Sequence, residues 1–251
     1  MKNISKRLYW FWSSTDGSSQ NKTNTIHIEF KQANFNEVIV ITNEFWLDRW
    51  KTGRIGFHLE GINPKLIEFW PTLPKGSHIL VPLCGKSNDM IWLAEQGYRV
   101  TGVELSSLAV IQFLGDNDLA YDTHHEGELK IHTVHGLSLR IVEGDYFQFS
   151  ETEFDACYDR AAMVAMPDSK RANYVTHTLD RLSSSAYVLL ISLYYDGDEQ
   201  GPPFSIDEQS VVSLWGSNIQ KIAFENLALT HPHYRDQGHT TFEESVWRLQ
   251  P

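Results

Sequence analysis

From position 45 onward, apolar residues recur with two alternating periods, separated by short polar breaks. HILVPL at 78–83 is a continuous apolar run of strand length, and YRVTGVEL at 98–105 is a second. Between them, 89–96 carries apolar residues at helical spacing and stops at Gly97, a residue type suited to a left-handed helix cap. NPKLIEFW predicts a helix with Asn63 as cap and Pro64 in its first turn. Leu66, Ile67, Phe69 and Trp70 then share one face. Ser106 predicts another helix start, burying Leu108, Ile111, Phe113 and Leu114. Strands are expected at 137–142, 154–158 and 187–195. A helix after Pro167 is expected to turn Ala172, Val175, Leu179 and Leu182 inward. A helix at 207–215 and closing strands at 227–229 and 244–249 complete the pattern.

Strands separated by helices imply right-handed crossovers and parallel pairing. The two late strands suggest an antiparallel edge. The expected fold is a single doubly wound, mainly parallel α/β sheet spanning 44–251. Residues 1–43 read as a flexible N-terminal extension, with a polar tract at 13–25. A segment translated upstream of the true start and a functional arm are the other readings.

Composition narrows the function. A net charge of −11 opposes nucleic-acid binding, which needs a basic surface. No apolar run approaches the roughly 18 residues of a membrane span, and LYWFW at 8–12 is too short for a signal-peptide core. Two cysteines make neither a disulfide framework nor a zinc set, so a cytoplasmic setting is expected. Cys84 and Cys157 read as packed core residues. The 11 histidines show no metal-ligand spacing, and no metal is assigned.

Ligands of such sheets bind beyond the carboxyl ends of the strands. The loop PLCGKS follows the first strand, where Gly85 lets a ligand approach the backbone. Glu104 ends the second strand 19 residues further on, close to the roughly 20 expected for a carboxylate that takes both ribose hydroxyls. A dinucleotide loop would read G-x-G-x-x-G, and this loop has one glycine. An adenosyl ligand with a smaller tail fits, and S-adenosylmethionine has that shape. Asp145 and Tyr146, after the next strand, are placed to meet an adenine, or else form a surface turn.

These stretches have companions: FWLDRWKTGRIGFH (45–58), VPLCGKSNDM (81–90), GVELS (102–106), YDRAAMVAM (158–166), GPPF (201–204), and YRDQG (234–238) before EESVWRL (243–249). With them, the chain resembles the thiopurine S-methyltransferase family of S-adenosylmethionine-dependent enzymes, over about 45–250. The resemblance implies a class I, Rossmann-like methyltransferase domain that methylates thiopurines or other aromatic and heterocyclic thiols. It implies cofactor contacts from Trp46, Trp50, Leu83, Glu104, Asp145, Tyr146 and Arg160, beside the Gly85 contact read from the loop. Phe57, Pro202, Pro203 and Arg235 match the acceptor pocket. The first 43 residues lie outside the resemblance.

The same residues have plainer readings. Trp46 and Trp50, at i, i+4, can be the core face of a helix or the cover of a sulfonium. Arg160 can pair with Asp159 at the surface or fork onto the methionine carboxylate. GPPF can be a simple connection or a stiff wall. Aromatic thiols ionise readily, so no general base is assigned. A small-molecule acceptor and a monomer are expected. Other readings remain: methylation of tellurite, selenite or halide ions, a nicotinamide-dependent oxidoreductase, or a non-catalytic adenosyl-binding module.

Overall fold

The computed structural model of the protein describes residues 41–197 and 201–250. The extension expected at 1–43 thus lies outside the described residues except for 41–43, and these three belong to the fold. Thr42 caps the first helix through a hydrogen bond from the Phe45 N–H, and Ile41 is buried.

The elements run α1 (Asn43–Lys51), α2 (Pro64–Phe69), β1 (His78–Pro82), α3 (Asp89–Glu95), β2 (Arg99–Glu104) and α4 (Ser107–Asp116). An antiparallel hairpin follows, β3 (Tyr121–Glu126) and β4 (Leu129–Val134), then β5 (Leu139–Glu143) and β6 (Phe154–Arg160). The last third holds α5 (Asp168–Leu179), β7 (Leu182–Tyr195), α6 (Glu208–Trp215), β8 (Ile219–Asn226), α7 (Leu227–Thr230), α8 (Pro232–Asp236) and β9 (Phe242–Leu249).

Among the described residues, nine strands form one sheet in the order β3-β4-β5-β2-β1-β6-β7-β9-β8. The central five pair in parallel. Antiparallel strands flank them on both sides, where the sequence pattern predicts one such edge. The chain builds outward from β1 through β2 to β5, then returns to the other side of β1 with β6. That reversal opens a crevice at the carboxyl ends of β1 and β6. Alternate residues of β1 feed two cores, Leu80 on one face and Ile79 and Val81 on the other. Burial on both faces explains why the central strands read as unbroken apolar runs.

Several elements differ from the pattern. Ser106 caps α4 as expected, accepting from the Ala109 N–H. The buried stripe is Ala109, Val110, Phe113 and Leu114, however, while Leu108 and Ile111 face outward. The apolar run of α4 wraps most of the helix, so composition alone does not select its inner face. In α5 the inner stripe is Arg171, Tyr174, Val175 and Thr178; Ala172 is exposed and Leu182 opens β7. Buried Arg171 is tolerated because it donates to the Met166 and Ser205 carbonyls. Ile67 of α2 is exposed beside buried Leu66. The strand expected at 227–229 is helical, and the edge strand is β8, whose alternation is broken by a bulge between Lys221 and Ala223. The β3–β4 hairpin has no sequence counterpart, since β3 is exposed along its whole length.

Candidate active site

The loop after β1 bends through two left-handed residues, Leu83 (φ 46°) and Gly85 (φ 54°). A Cβ at Gly85 would lie 3.2 Å from Trp50 Cζ2, so the indole of α1 covers the glycine directly. The Gly85 N–H donates to Glu104 Oε2 at 2.8 Å, and the Ser106 N–H donates to Oε1 at 2.7 Å. Two backbone amides therefore orient one buried carboxylate at the end of β2. Each oxygen keeps a further acceptor position. Burial pushes the Glu104 pKa up to about 7, opposed by the N–H groups of Ser106, Gly85 and Leu105.

Helix α1 brings Trp46 and Trp50 edge-on to Phe57, with ring centroids 6.0 and 5.6 Å apart. Arg160, at the end of β6, donates through Nη1 to the Phe57 carbonyl at 2.6 Å. Burial lowers its pKa. Its neighbour Asp159 is fully buried and accepts from the Tyr174 hydroxyl (2.7 Å) and the Met163 N–H (3.0 Å). Burial raises the Asp159 pKa to about 6 against these hydrogen bonds. The turn it anchors contains Ala161 at φ 61° and delivers Val164, Ala165 and Met166 to the cleft wall. Phe204 N–H donates to the Val164 carbonyl at 2.7 Å, and the Tyr195 hydroxyl donates to the Pro203 carbonyl at 2.6 Å. These bonds dock the proline loop onto the wall.

The structure brings Trp46, Trp50, Phe57, Leu83, Gly85, Glu104, Asp145, Tyr146, Arg160, Pro202 and Pro203 to one cleft. The cleft is open at its mouth and lined mainly by apolar side chains. Arg235 does not line this cleft: it is exposed on α8, and its neighbour Tyr234 turns inward to stack on Phe242 at 4.0 Å.

Asp145 lies on the rim, but its oxygens are engaged by the Phe147 N–H (2.9 Å) and the Asn43 side-chain amide (3.0 Å). Tyr146 is nearly buried, its hydroxyl paired with Thr178 at 3.0 Å. Phe147 is the more exposed aromatic at that rim. His58, Lys86 and Asn43 also line the cleft and were not singled out in the sequence. The adjacency of His58 to Phe57 and of Lys86 to Gly85 was the available signal. Cys84 is buried, and burial and Glu104 push its thiol up. Among the described residues, no three His, Cys, Asp or Glu side chains are grouped to hold a metal ion, and no helix is long and apolar enough to cross a membrane.

Comparison with known proteins identifies the family and the fold. The sequence model of the family described as thiopurine S-methyltransferase matches residues 41–251. A thiopurine S-methyltransferase of Bordetella pertussis is 41% identical over 215 residues, covering 82% of this chain and 97% of that protein. One from Xanthomonas campestris pv. campestris is 40% identical over 217 residues, covering 82% and 98%. Among solved structures, phosphoethanolamine N-methyltransferase 2 of Haemonchus contortus, in complex with S-adenosyl-L-methionine, shares the fold with a TM-score of 0.59 at 12% identity. It covers 84% of this chain and 60% of that one. The 1,6-didemethyltoxoflavin-N1-methyltransferase of Burkholderia thailandensis, bound to S-adenosylhomocysteine, shares it with a TM-score of 0.55 at 13% identity, covering 83% and 87%.

Proposed function

The chain belongs to the thiopurine S-methyltransferase family, and from that premise we propose that its cleft carries a methyl group to the sulfur of a thiopurine or a related aromatic or heterocyclic thiol. The enzyme is S-adenosylmethionine-dependent, with a class I methyltransferase fold. The observation that carries the reading is Glu104, a buried carboxylate aimed by two amides and still able to accept two hydroxyls.

The residues fit that cofactor. Glu104 would take the ribose hydroxyls, and Leu83 and Gly85 would line its path. The backbone at Asp145–Tyr146, with Phe147 beside it, would meet the adenine. Trp46 and Trp50 would present ring faces near the cationic centre. Arg160 would bind the methionine carboxylate. When bound, the cofactor supplies a methyl group activated on a sulfonium. Phe57, Pro202 and Pro203 would enclose the acceptor. For Arg235 the acceptor role rests on the resemblance alone.

The chain's contribution is alignment. The cleft walls would hold the acceptor against the bound methyl donor, and orientation of this kind is worth up to about 7–11 kcal/mol. Exclusion of water by the aromatic wall favours the thiolate's reaction with a cation. We place this chemistry in the cytoplasm, in keeping with two buried, unpaired cysteines.

The test is incubation with methyl-labelled S-adenosylmethionine and separate acceptors: thiopurines, simple aromatic thiols, tellurite, selenite and iodide. Label in the thioethers is expected. Label only in the metalloid or halide products would overturn the acceptor assignment, and no transfer to any acceptor would overturn the activity.

A further inference from the structure

We propose, resting on the methyl-transfer reading above, that Arg171 of α5 is a positioning residue for the acceptor. Its guanidinium ties the turn after β6 to the proline loop and so fixes the cleft wall against which the acceptor lies. Arg171 itself is outside the cleft lining.

The tied pieces are distant in sequence. The turn after β6 brings Val164, Ala165 and Met166 to the cleft, and the proline loop brings Pro202 and Pro203. Phe204 N–H donates to the Val164 carbonyl at 2.7 Å, which is one link between them. Arg171 makes a second. It donates through Nε to the Met166 carbonyl at 3.2 Å and through Nη2 to the Ser205 carbonyl at 3.1 Å. One planar group thus bridges a carbonyl five positions before it and one 34 positions after it. The fixed fork of a guanidinium suits that geometry, and the point charge of an ammonium does not. The Phe204 ring lies 6.0 Å from Arg171 Cζ, beside the same tie. The loop is also anchored on β7: the Tyr195 N–H donates to Ser205 Oγ at 2.9 Å, and that hydroxyl donates to the Tyr195 carbonyl at 3.0 Å. Arg171 carries this anchorage across to the turn.

Stability alone does not account for a cation here. Arg171 is buried on the inner face of α5 with Tyr174 and Val175. An apolar side chain would pack there without desolvating a charge. The Arg171 ion partner Asp168, at 3.3 Å, is 95% exposed, and a pair so open to water is weak. Asp207 and Tyr195 also face the guanidinium. What it supplies, and an apolar side chain cannot, is a bond to each of two backbone carbonyls that flank the wall.

Steady-state methylation of mercaptopurine, a thiopurine, together with calorimetry on S-adenosylhomocysteine separates positioning from folding. For Arg171→Met the acceptor KM should rise about tenfold, below the roughly hundredfold cost of a misplacement of about 1 Å. S-adenosylhomocysteine should bind within about twofold of wild type, since its site does not share the tie. A merely structural role would lower the folded fraction, which reduces kcat and the calorimetric stoichiometry but leaves KM unmoved. Arg171→Lys, a point charge in place of a fork, should raise KM about threefold, and it is the variant that decides if Arg171→Met does not fold. An unchanged acceptor KM, or equal weakening of acceptor and S-adenosylhomocysteine, would overturn the tie while leaving the methyltransferase reading intact. Failure of the wild-type protein to methylate any thiol would overturn both.

Discussion

The Gly85 N–H and the Glu104 carboxylate meet at 2.8 Å across 19 residues of chain. The loop of one strand thereby aims the acid at the tip of the next. With Ser106 N–H on the other oxygen, the acid is oriented without using its outward acceptor positions. Glu104→Ala removes a charged partner for two hydroxyls, so S-adenosylmethionine affinity should fall about a hundredfold. Titration calorimetry reads this directly, and unchanged affinity would refute the ribose role.

The same carboxyl carries a pH signature. Its pKa rises from 4.5 unfolded to about 7 in the fold. Its stability contribution is therefore fully present below about 4.5 and lost as pH rises through about 7, by roughly 3 kcal/mol. The stability of the wild type relative to Glu104→Gln should improve as pH falls from 8 to 5, measured by urea unfolding. Hydroxyl donors prefer the ionised form, so cofactor affinity should weaken below pH 7 in the wild type, by up to about tenfold per unit. It should stay flat in Glu104→Gln.

Gly85 and Gly53 separate backbone strain from the site. Both have positive φ, 54° and 70°, but only at Gly85 would a Cβ meet anything within 4 Å, namely Trp50 at 3.2 Å. Each alanine substitution should cost about 1–2 kcal/mol in stability. Only Gly85→Ala should also weaken S-adenosylmethionine binding, since Trp50 must move. Equal binding by the two variants would dissociate Trp50 from the cofactor.

Tyr174 supports the turn that carries Arg160. Tyr174→Phe deprives buried Asp159 of a 2.7 Å donor and should destabilise by about 1–3 kcal/mol. Asp159 already has a raised pKa, about 6 against 3.8, so its contribution is present below 3.8 and lost as pH rises through 6. Loss of the hydroxyl raises that pKa further. The destabilisation should thus be larger at pH 8 than at pH 4, a contrast visible in chemical unfolding at the two values.

The start of the domain is set by single residues. Removing 1–40 should leave methyl transfer nearly unchanged. Removing 1–43 also takes Thr42, which caps α1, and Asn43, which bonds Asp145 at 3.0 Å. That deletion should cost about 1 kcal/mol or more of stability and weaken the cofactor complex. Equal thermal melting and equal affinity of the two truncations would show that this cap is dispensable.

Much of this site was legible in one dimension. The runs 78–83 and 98–105 announce central strands because burial on both faces demands continuous apolar residues. The single glycine of PLCGKS and the acid 19 residues later come together because both sit at strand ends that parallel pairing places side by side. Tertiary structure decided what local period cannot. Helix α4 has apolar residues around most of its circumference, so the sheet selected Val110 and Phe113 over Leu108 and Ile111. Edge strand β8 has one half-exposed face and a bulge, which erase the alternation that marks a strand. Asp145 has its carboxylate taken by residues two and 102 positions away, and Arg235 is carried outside the cleft by the inward turn of Tyr234. The turn at 57–60 is held against the cleft by Arg160 and Asn88, residues 103 and 28 positions away from the carbonyls they bind. Periodicity records which residues must be buried, whereas hydrogen bonds between distant segments fix which side chains share a site.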